Sequence, residues 1–594
     1  MSTKMIKLTI NNMPIEVAEG TTILDAAKQL KFTIPTLCHH PDLCVAGNCR
    51  ICVVEQKGSK NLVASCATPV AEGIDITTNS LKVRKARKDI IDLLLSEHAM
   101  NCTKCYKNGN CELQNLSREY LTEAERFIDV AIKKPIDKSS PAIQKDESKC
   151  IKCQRCVRTC AELQHVSALT MAHKGENVTV ETFLDLPIND VVCTLCGQCV
   201  NRCPTGALVE RNYIEEVWEA LSDPTKHVVV QTAPAVRVAL GELLGFPVGT
   251  RVTGQMVASL RRMGFNAVFD TNFTADLTIM EEGTELLTRL KNALVDKKKI
   301  ALPMMTSCSP GWVKYLEHEF PTLIDNLSTC KSPQQMFGPL AKTYYAEKVD
   351  VNPANMVVVS IMPCTAKKFE AAREEMNSSG YRDVDYVLTT RELGLMIQQA
   401  GIDFLSLEEE HCDSLIGEHS GAGVIFGATG GVMEAALRTA YEIITGRPVP
   451  FKDLDILPVR GMDGVKDAAI KIEGTLPEWK FLEGVELKVA IAHGLTNART
   501  LMKKVEKGEA PYHFIEIMAC PGGCLGGGGQ PIPTNMDIRK KRTEAIYAED
   551  HGLPIRKSHE NPEIQHIYKD FLKAPLGHKS HELLHTHYIK RDKN

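Results

Sequence analysis

The run Cys150-x2-Cys153-x2-Cys156-x3-Cys160 recurs as Cys193-x2-Cys196-x2-Cys199-x3-Cys203-Pro204. Eight thiols in that spacing are the ligand set of two [4Fe-4S] clusters, the fourth cysteine of each run serving the other cube. Cys150, Cys153, Cys156 and Cys203 are thereby assigned to one cube, and Cys193, Cys196, Cys199 and Cys160 to the second. A four-coordinate structural zinc would leave half of them unexplained. Upstream, Cys102, Cys105 and Cys111 follow His98, a set of N and S donors that suits zinc or a further [4Fe-4S] cluster. Earlier still stand Cys38, Cys44, Cys49, Cys52 and Cys66, of which four could hold a [2Fe-2S] cluster. Both Cys44-x4-Cys49-x2-Cys52 and the longer Cys38-x10-Cys49-x2-Cys52-x13-Cys66 fit known loop lengths, and spacing leaves both open.

The chain has 594 residues and 22 cysteines, 16 of them before residue 204, so a metal-rich front precedes a metal-poor back. Met1 to Ile10 shows no apolar leader and no twin arginine, and no stretch of about 18 apolar residues follows. The expected location is cytoplasmic, without a membrane, where thiols stay reduced and serve metals or chemistry. A net charge of -4 with acidic and basic residues intermixed gives no footprint for nucleic acid.

The elements that must position these residues fall into two kinds. From Met5 to about Asn79 short alternating strands and one helix capped by Thr21 read as a small α+β unit. From about Asn212 apolar strands alternate with amphipathic helices, an α/β pattern. His227 to Gln231 leads into an expected helix, Val236 to Leu244; Met356 to Ile361 ends at Cys364; Phe514 to Ile517 ends at Cys520 and Cys524; and apolar Ile300 to Met305 leads to Cys308. Different strands thus deliver thiols to their carboxyl ends, where open α/β sheets place ligands. The expected architecture is an α/β catalytic domain with clusters at strand C-termini, preceded by small α+β ferredoxin-type domains. Its expected limits are 1–95 for a [2Fe-2S] domain, 96–137 for the His/Cys3 module, 138–212 for the two-cluster domain and 213–594 for the catalytic domain.

TSCSPGW at 306, MPCTAKKFE at 362 and MACPGGCLGGGGQP at 518 resemble the three signatures of [FeFe]-hydrogenase catalytic subunits, and the order of front modules is similar too. The resemblance covers nearly the whole chain and favours Cys38 over Cys44 as a [2Fe-2S] ligand. It implies an H-cluster, a [4Fe-4S] cube joined to a diiron unit with CO, CN and azadithiolate, beside one [2Fe-2S] and three accessory [4Fe-4S] clusters. It further implies Cys364, Cys520 and Cys524 as cube ligands, Cys524 bridging to the diiron unit. Lys367 would hydrogen-bond a cyanide, Met362 and Met518 would pack near the diiron unit, and Glu282, Glu285 and Ser328 would form a proton path. Glu282 and Glu285 share one helical face at i,i+3. Gly522, Gly523 and Gly526 to Gly529 are expected to let backbone approach the cofactor.

The sequence departs from the family where two adjacent cysteines, a proton relay and then a ligand, usually precede the proline: here stand Cys308 and Ser309. Either Ser309 ligates through oxygen, or the loop slips by one residue and Cys308 ligates; iron's preference for thiolate favours the slip. Cys330 and Cys412 are expected to be ordinary core thiols. The implied reaction is reversible oxidation of hydrogen to protons and electrons. Its implied partners are ferredoxin and/or a flavin- and NAD(P)-binding subunit, as in electron-bifurcating assemblies, together with maturation proteins. No GxGxxG fingerprint occurs in the chain itself. The alternatives are an electron-transfer subunit like that of complex I, and a hydrogenase-like carrier, assembly protein or hydrogen sensor.

Overall fold

The computed structural model describes residues 4–122, 127 and 134–592; the end of the His/Cys3 module at 123–126 and 128–133 lies outside the described residues. The chain divides into two compact units, Met1–Leu163 with Ser167–Val191 and Arg202–Val209, and Gln164–Val166 with Val192–Asn201 and Glu210–Asn594. Among the described residues, no helix is long and apolar enough to cross a membrane.

In the first unit Met5–Ile10 buries Ile6, Leu8 and Ile10 on one face, the period of a half-buried strand. It joins a five-stranded sheet in the order Met13–Ala18, Met5–Ile10, Asp75–Thr77, Val53–Gln56, Val63–Ala64. The helix packed on it, Ile23–Gln29, is capped by Thr22, whose side chain accepts from the Asp25 amide. Thr21, the expected cap, instead donates its hydroxyl to the Ala18 carbonyl at 2.7 Å and closes the preceding turn. Helix Leu81–Ser96 then ends just before His98, and helix Glu112–Tyr120 starts at Cys111.

The second unit holds two sheets. One is all parallel, in the order Ala267–Asp270, His227–Thr232, Met356–Met362, Tyr386–Thr389. The other runs Met304–Met305, Phe514–Met518, Glu486–His493, Val465–Lys471, antiparallel only at the last pair. Val228, Val229, Val230, Val358 and Val359 are buried, as befits strands covered on both faces. The stretch expected as a helix from Val236 to Leu244 contains only the short 3-10 turn Leu240–Leu243. Buried Arg237 bends this segment inward, its Nε donating back to the Pro234 carbonyl at 3.1 Å.

Arg237 also fixes the helix that matters most, Thr271–Leu294. Its Nη2 donates to Asp270 Oδ1 and Oδ2 at 2.9 and 2.7 Å, while Asp270 Oδ1 caps the helix by accepting from the Asn272 amide at 3.0 Å. Both side chains are fully buried. Burial pushes the Asp270 carboxyl up, but Arg237, His419 and the Asn272 amide overcome it and hold it well below the usual carboxylate range. Its contribution is therefore present above the unfolded value and lost as pH falls through the depressed one. Asp270→Ala strands a buried guanidinium and uncaps the helix, and should cost about 3–5 kcal/mol in denaturant unfolding.

Candidate active site

Strand ends from both sheets of the second unit meet at one cavity of about 70 Å³. Ala233 and Pro234 follow His227–Thr232, Cys364 follows Met356–Met362, Met518 ends Phe514–Met518, and Cys520 and Cys524 follow it; all line the cavity with Cys308, Ser309 and Lys367. Met362 does not line it, and packs instead in the core of the parallel sheet.

Burial and then the neighbouring Cys524 push Cys364 up to about 12, and burial pushes Cys524 up to about 11 and Cys520 well above the ordinary thiol value. Three such thiols on one wall stay neutral unless a cation converts them to thiolates, which is the chemistry of an iron-sulfur site. Lys367 Nζ donates to the Cys308 carbonyl at 3.1 Å and to Glu370 Oε2 at 2.8 Å. An ammonium has three donors, so one remains for an anionic ligand within the cavity.

Gly523 and Gly527 of the glycine run line the cavity, and the run also joins two loops. A Cβ on Gly527 would stand 2.1 Å from the Pro363 carbonyl oxygen, so the loop after one thiol-bearing strand packs backbone to backbone on the loop after another. Gly523, with φ +81°, adopts a left-handed backbone on the cavity wall.

Cys308 and Ser309 face different ways. Burial and then Glu282 push the Cys308 thiol well up, placing it at the carboxylate side. Ser309 Oγ accepts from the Ala519 amide at 3.1 Å, beside Cys520. Both residues line the cavity with Cys364, Cys520 and Cys524.

Beyond Cys308 the helix Thr271–Leu294 carries Glu282, Glu285 and Arg289. Burial, reinforced by Glu285, raises Glu282 to about 8 against a hydrogen bond with Ser328. Ser328 Oγ donates to Glu285 Oε2 at 2.9 Å, and Arg289 Nη2 donates to Glu285 Oε1 at 2.7 Å. The three expected residues therefore form one line. Arg289 was missed, although its i,i+4 spacing from Glu285 was legible. Cys330, expected as a plain core thiol, approaches Glu285 Oε2 at 3.8 Å, and Cys412 lines a separate polar pocket with Asp270 and His419.

Cys193, Cys196 and Cys199 belong to this same unit, and Cys196 lies near Cys520. Gly528 and Gly311 both pack against Cys196, and Cys193 faces Lys314, whose ammonium burial lowers to about 8. Gln198 Nε2 donates to the Gly526 carbonyl at 2.8 Å, and its side chain also hydrogen-bonds Cys520. Sequence offered no signal for Gln198 beyond its place inside a ligand run.

In the first unit Cys52 Sγ donates to Cys66 Sγ at 3.3 Å, the Cys49 amide donates to Cys38 Sγ at 3.5 Å, and the Cys38 thiol meets both Cys49 and Cys66. Exposed Cys44 turns away, its Sγ donating to Glu162 Oε1 at 2.7 Å. Cys150, Cys153, Cys156 and Cys203 line one small cavity of about 30 Å³. Buried His98 has an Nδ1 without a hydrogen-bond partner, an orphan that suits a metal ligand, and a Cβ on Gly206 would lie 2.6 Å from Cys105 Sγ. Cys111 Sγ donates to the Pro204 carbonyl at 3.6 Å, so this group adjoins the loop after Cys203.

Comparison with known proteins agrees with this geometry. Residues 226–528 match the family described as iron only hydrogenase large subunit, C-terminal domain, and 536–591 match iron hydrogenase small subunit. The front matches a 2Fe-2S iron-sulfur cluster binding domain at 3–80, the NADH-ubiquinone oxidoreductase-G iron-sulfur binding region at 87–126 and the ferredoxin-like domain of NADH-quinone oxidoreductase subunit 3 at 140–209. The chain is 50% identical to the NADP-reducing hydrogenase subunit HndD of Solidesulfovibrio fructosivorans over 99% of its own length and 100% of that protein's. It is 40% identical to iron hydrogenase 1 of Clostridium pasteurianum, with the same shares covered. A solved variant of the [FeFe]-hydrogenase HydA1 from Chlamydomonas reinhardtii aligns with TM-score 0.57 and 46% identity over 64% of this chain and 100% of that one. The chain belongs to the iron-only, or [FeFe], hydrogenase large-subunit family.

Two outcomes follow from the two walls. Glu282→Gln removes a buried acid that stays neutral up to about pH 8 in the folded protein, so its cost to stability is absent below the ordinary carboxylate value and grows as pH rises toward about 8. The variant should unfold at equal or higher denaturant at neutral pH while its hydrogen turnover falls. Gln198→Leu deletes a hydrogen bond to the Cys520 sulfur, and redox titration should find the adjoining cube at a more negative potential.

Proposed function

We propose that this hydrogenase catalytic subunit exchanges electrons with a ferredoxin or with a flavin- and NAD(P)-binding partner subunit, through one [2Fe-2S] and three accessory [4Fe-4S] clusters. The observation that carries the reading is the cavity itself, where Cys364, Cys520, Cys524 and Lys367 meet between a carboxylate line and the Cys196 loop. The H-cluster, when bound, supplies the iron at which hydrogen is split heterolytically or formed.

The protein's own residues do the rest. Cys364, Cys520 and Cys524 would hold the cluster, and Met518 keeps the wall apolar. Lys367 presents its remaining N–H to a cyanide. Cys308 exchanges a proton with Glu282, which Ser328, Glu285 and Arg289 connect outward. Ser309 would supply the fourth ligand as an alkoxide, a harder donor than thiolate. In the first unit the ligand sets are Cys38, Cys49, Cys52 and Cys66; His98, Cys102, Cys105 and Cys111; and Cys150, Cys153, Cys156 and Cys203. In the second unit Cys193, Cys196 and Cys199 would be the ligands of the remaining cube. Similarity to the NADP-reducing hydrogenase subunit HndD supports an NADP-linked partner, which would place the nicotinamide chemistry on another polypeptide.

The test is infrared spectroscopy of protein matured with its assembly factors, alongside hydrogen evolution from reduced methyl viologen. CO and CN bands with gas evolution are expected; cubes without those bands or without gas would make the chain a carrier or sensor. Cys308→Ala should keep the bands yet lower evolution by roughly 10²-fold or more, the scale of a lost proton carrier. Ser309→Cys should change the electron paramagnetic resonance of the reduced cube and raise its potential, and an unchanged spectrum would remove Ser309 from the ligand set.

A further inference from the structure

The C-terminal segment brings a histidine onto the carboxylate line. The amide of Lys331 donates to the Leu584 carbonyl and that of Thr586 to the Thr329 carbonyl, both at 2.8 Å, so His585 is pinned beside Thr329 and Cys330 by main-chain bonds. His585 is buried, and exposed His581 stacks on its ring at 4.8 Å between centroids.

Hydrogen-bond polarity constrains what His585 carries. Glu281 accepts from the Tyr568 hydroxyl at 2.5 Å, from the Leu576 amide at 2.8 Å and from the Ser580 hydroxyl. Burial pushes Glu281 up, but these donors and His585 outweigh it and hold it below the ordinary carboxylate value. An anionic Glu281 can only accept, so the imidazole Nε2 at 3.2 Å from it bears a hydrogen. On the other edge Nδ1 lies 2.8 Å from Thr329 Oγ1, and that hydroxyl lies 3.3 Å from Glu285 Oε2. A hydroxyl has one hydrogen. If it points to Glu285, Nδ1 must also carry a hydrogen and the ring is an imidazolium; if it points to Nδ1, the ring is neutral.

We propose that His585 is a proton store on the line to the hydrogenase cavity, discharged to Glu285 through the Thr329 hydroxyl. The Nδ1–H bond breaks as its proton passes to Thr329 Oγ1, the former hydroxyl proton forms an O–H bond on Glu285 Oε2, and no electron moves. Imidazolium and carboxylate become imidazole and carboxylic acid. The ring is then reloaded from the Arg289 side by the reverse sequence. The groups facing it are Glu281 on the long helix, Thr329 and Cys330 on the paired strand, Glu285 beyond the hydroxyl, and His581 above the ring. Forming one hydrogen molecule consumes two protons, and Glu282 with His585 gives the line two loading sites. This rests on the hydrogenase reading.

The decisive variants in the matured enzyme are Thr329→Val, which deletes the hydroxyl and keeps the volume, and Thr329→Ser, which restores it. Thr329→Val should lower hydrogen evolution about tenfold, less than the roughly 10²–10⁴-fold of a sole carrier because the Arg289 entrance remains. Thr329→Ser should stay near the parent rate, His585→Gln should match Thr329→Val, and the double variant should be no worse. CO and CN bands unchanged in all of them separate failure of this proposal from failure of the hydrogenase reading. Infrared difference spectra should also lose, in Thr329→Val, a carboxyl band of Glu285. Equal impairment of the Val and Ser variants, or a Val variant identical to the parent from about pH 6 to about pH 9, overturns the proposal. Should His585→Gln fail to fold, the threonine pair decides alone.

Discussion

A buried thiol is a ligand only once a cation has taken its proton, and everything in the second unit serves to keep three such thiols together until that happens. Cys364, Cys520 and Cys524 come from the ends of strands in two different sheets. Their loops must therefore touch without side chains between them. Gly527 against the Pro363 carbonyl is that contact, and the Arg391 guanidinium reinforces it from outside by donating to the Gly528 and Gln530 carbonyls at 2.8 and 2.6 Å. A single methyl group at Gly527 would part the two loops that carry the thiols.

Around this point the cavity separates its two cargoes. One wall is sulfur, amide and close-packed backbone, with Gln198 touching both Cys520 and the Gly526 carbonyl. Beyond Cys308 lie the carboxylates of Glu282 and Glu285 and the Arg289 guanidinium on one helix, with the Ser328 hydroxyl bonded to Glu285. Charged and protonated groups are expensive in an apolar interior, so the acids are either neutral, as Glu282 is up to about pH 8, or saturated with donors, as Glu281 and Glu285 are. Under the proposed function, electrons and protons would reach the same cavity through media that suit each of them.

Much of this was legible before any coordinates. Ligand runs are written in fixed spacings, and strand ends could be read from Met356 to Ile361 and from Phe514 to Ile517 because buried parallel strands are continuous apolar runs. Local detail was not: Thr22 and Thr21 are chemically identical caps, and only the closure of the turn at Ala18 chooses between them. The segment after Ala235 had helical periodicity, but the buried Arg237 claims its backbone for another purpose. Cys44 and Cys38 had equal standing in spacing until the fold turned one toward Glu162. Thr329 and His585 lie far apart in the chain and belong to no motif, so their meeting could come only from the tertiary structure.

The pairing of residues 584–586 with 329–331 also bears on covalent continuity. The segment that supplies His585 matches a family described as a small subunit, separate from the one that covers the cavity. Its hold on the long helix, through Tyr568, Leu576, Ser580 and His585 converging on Glu281, is entirely noncovalent. A break in the chain between the two matched segments would leave every one of those bonds in place. One polypeptide here does by connection what two could do by docking, and the tether serves to raise the local concentration of a piece that already fits.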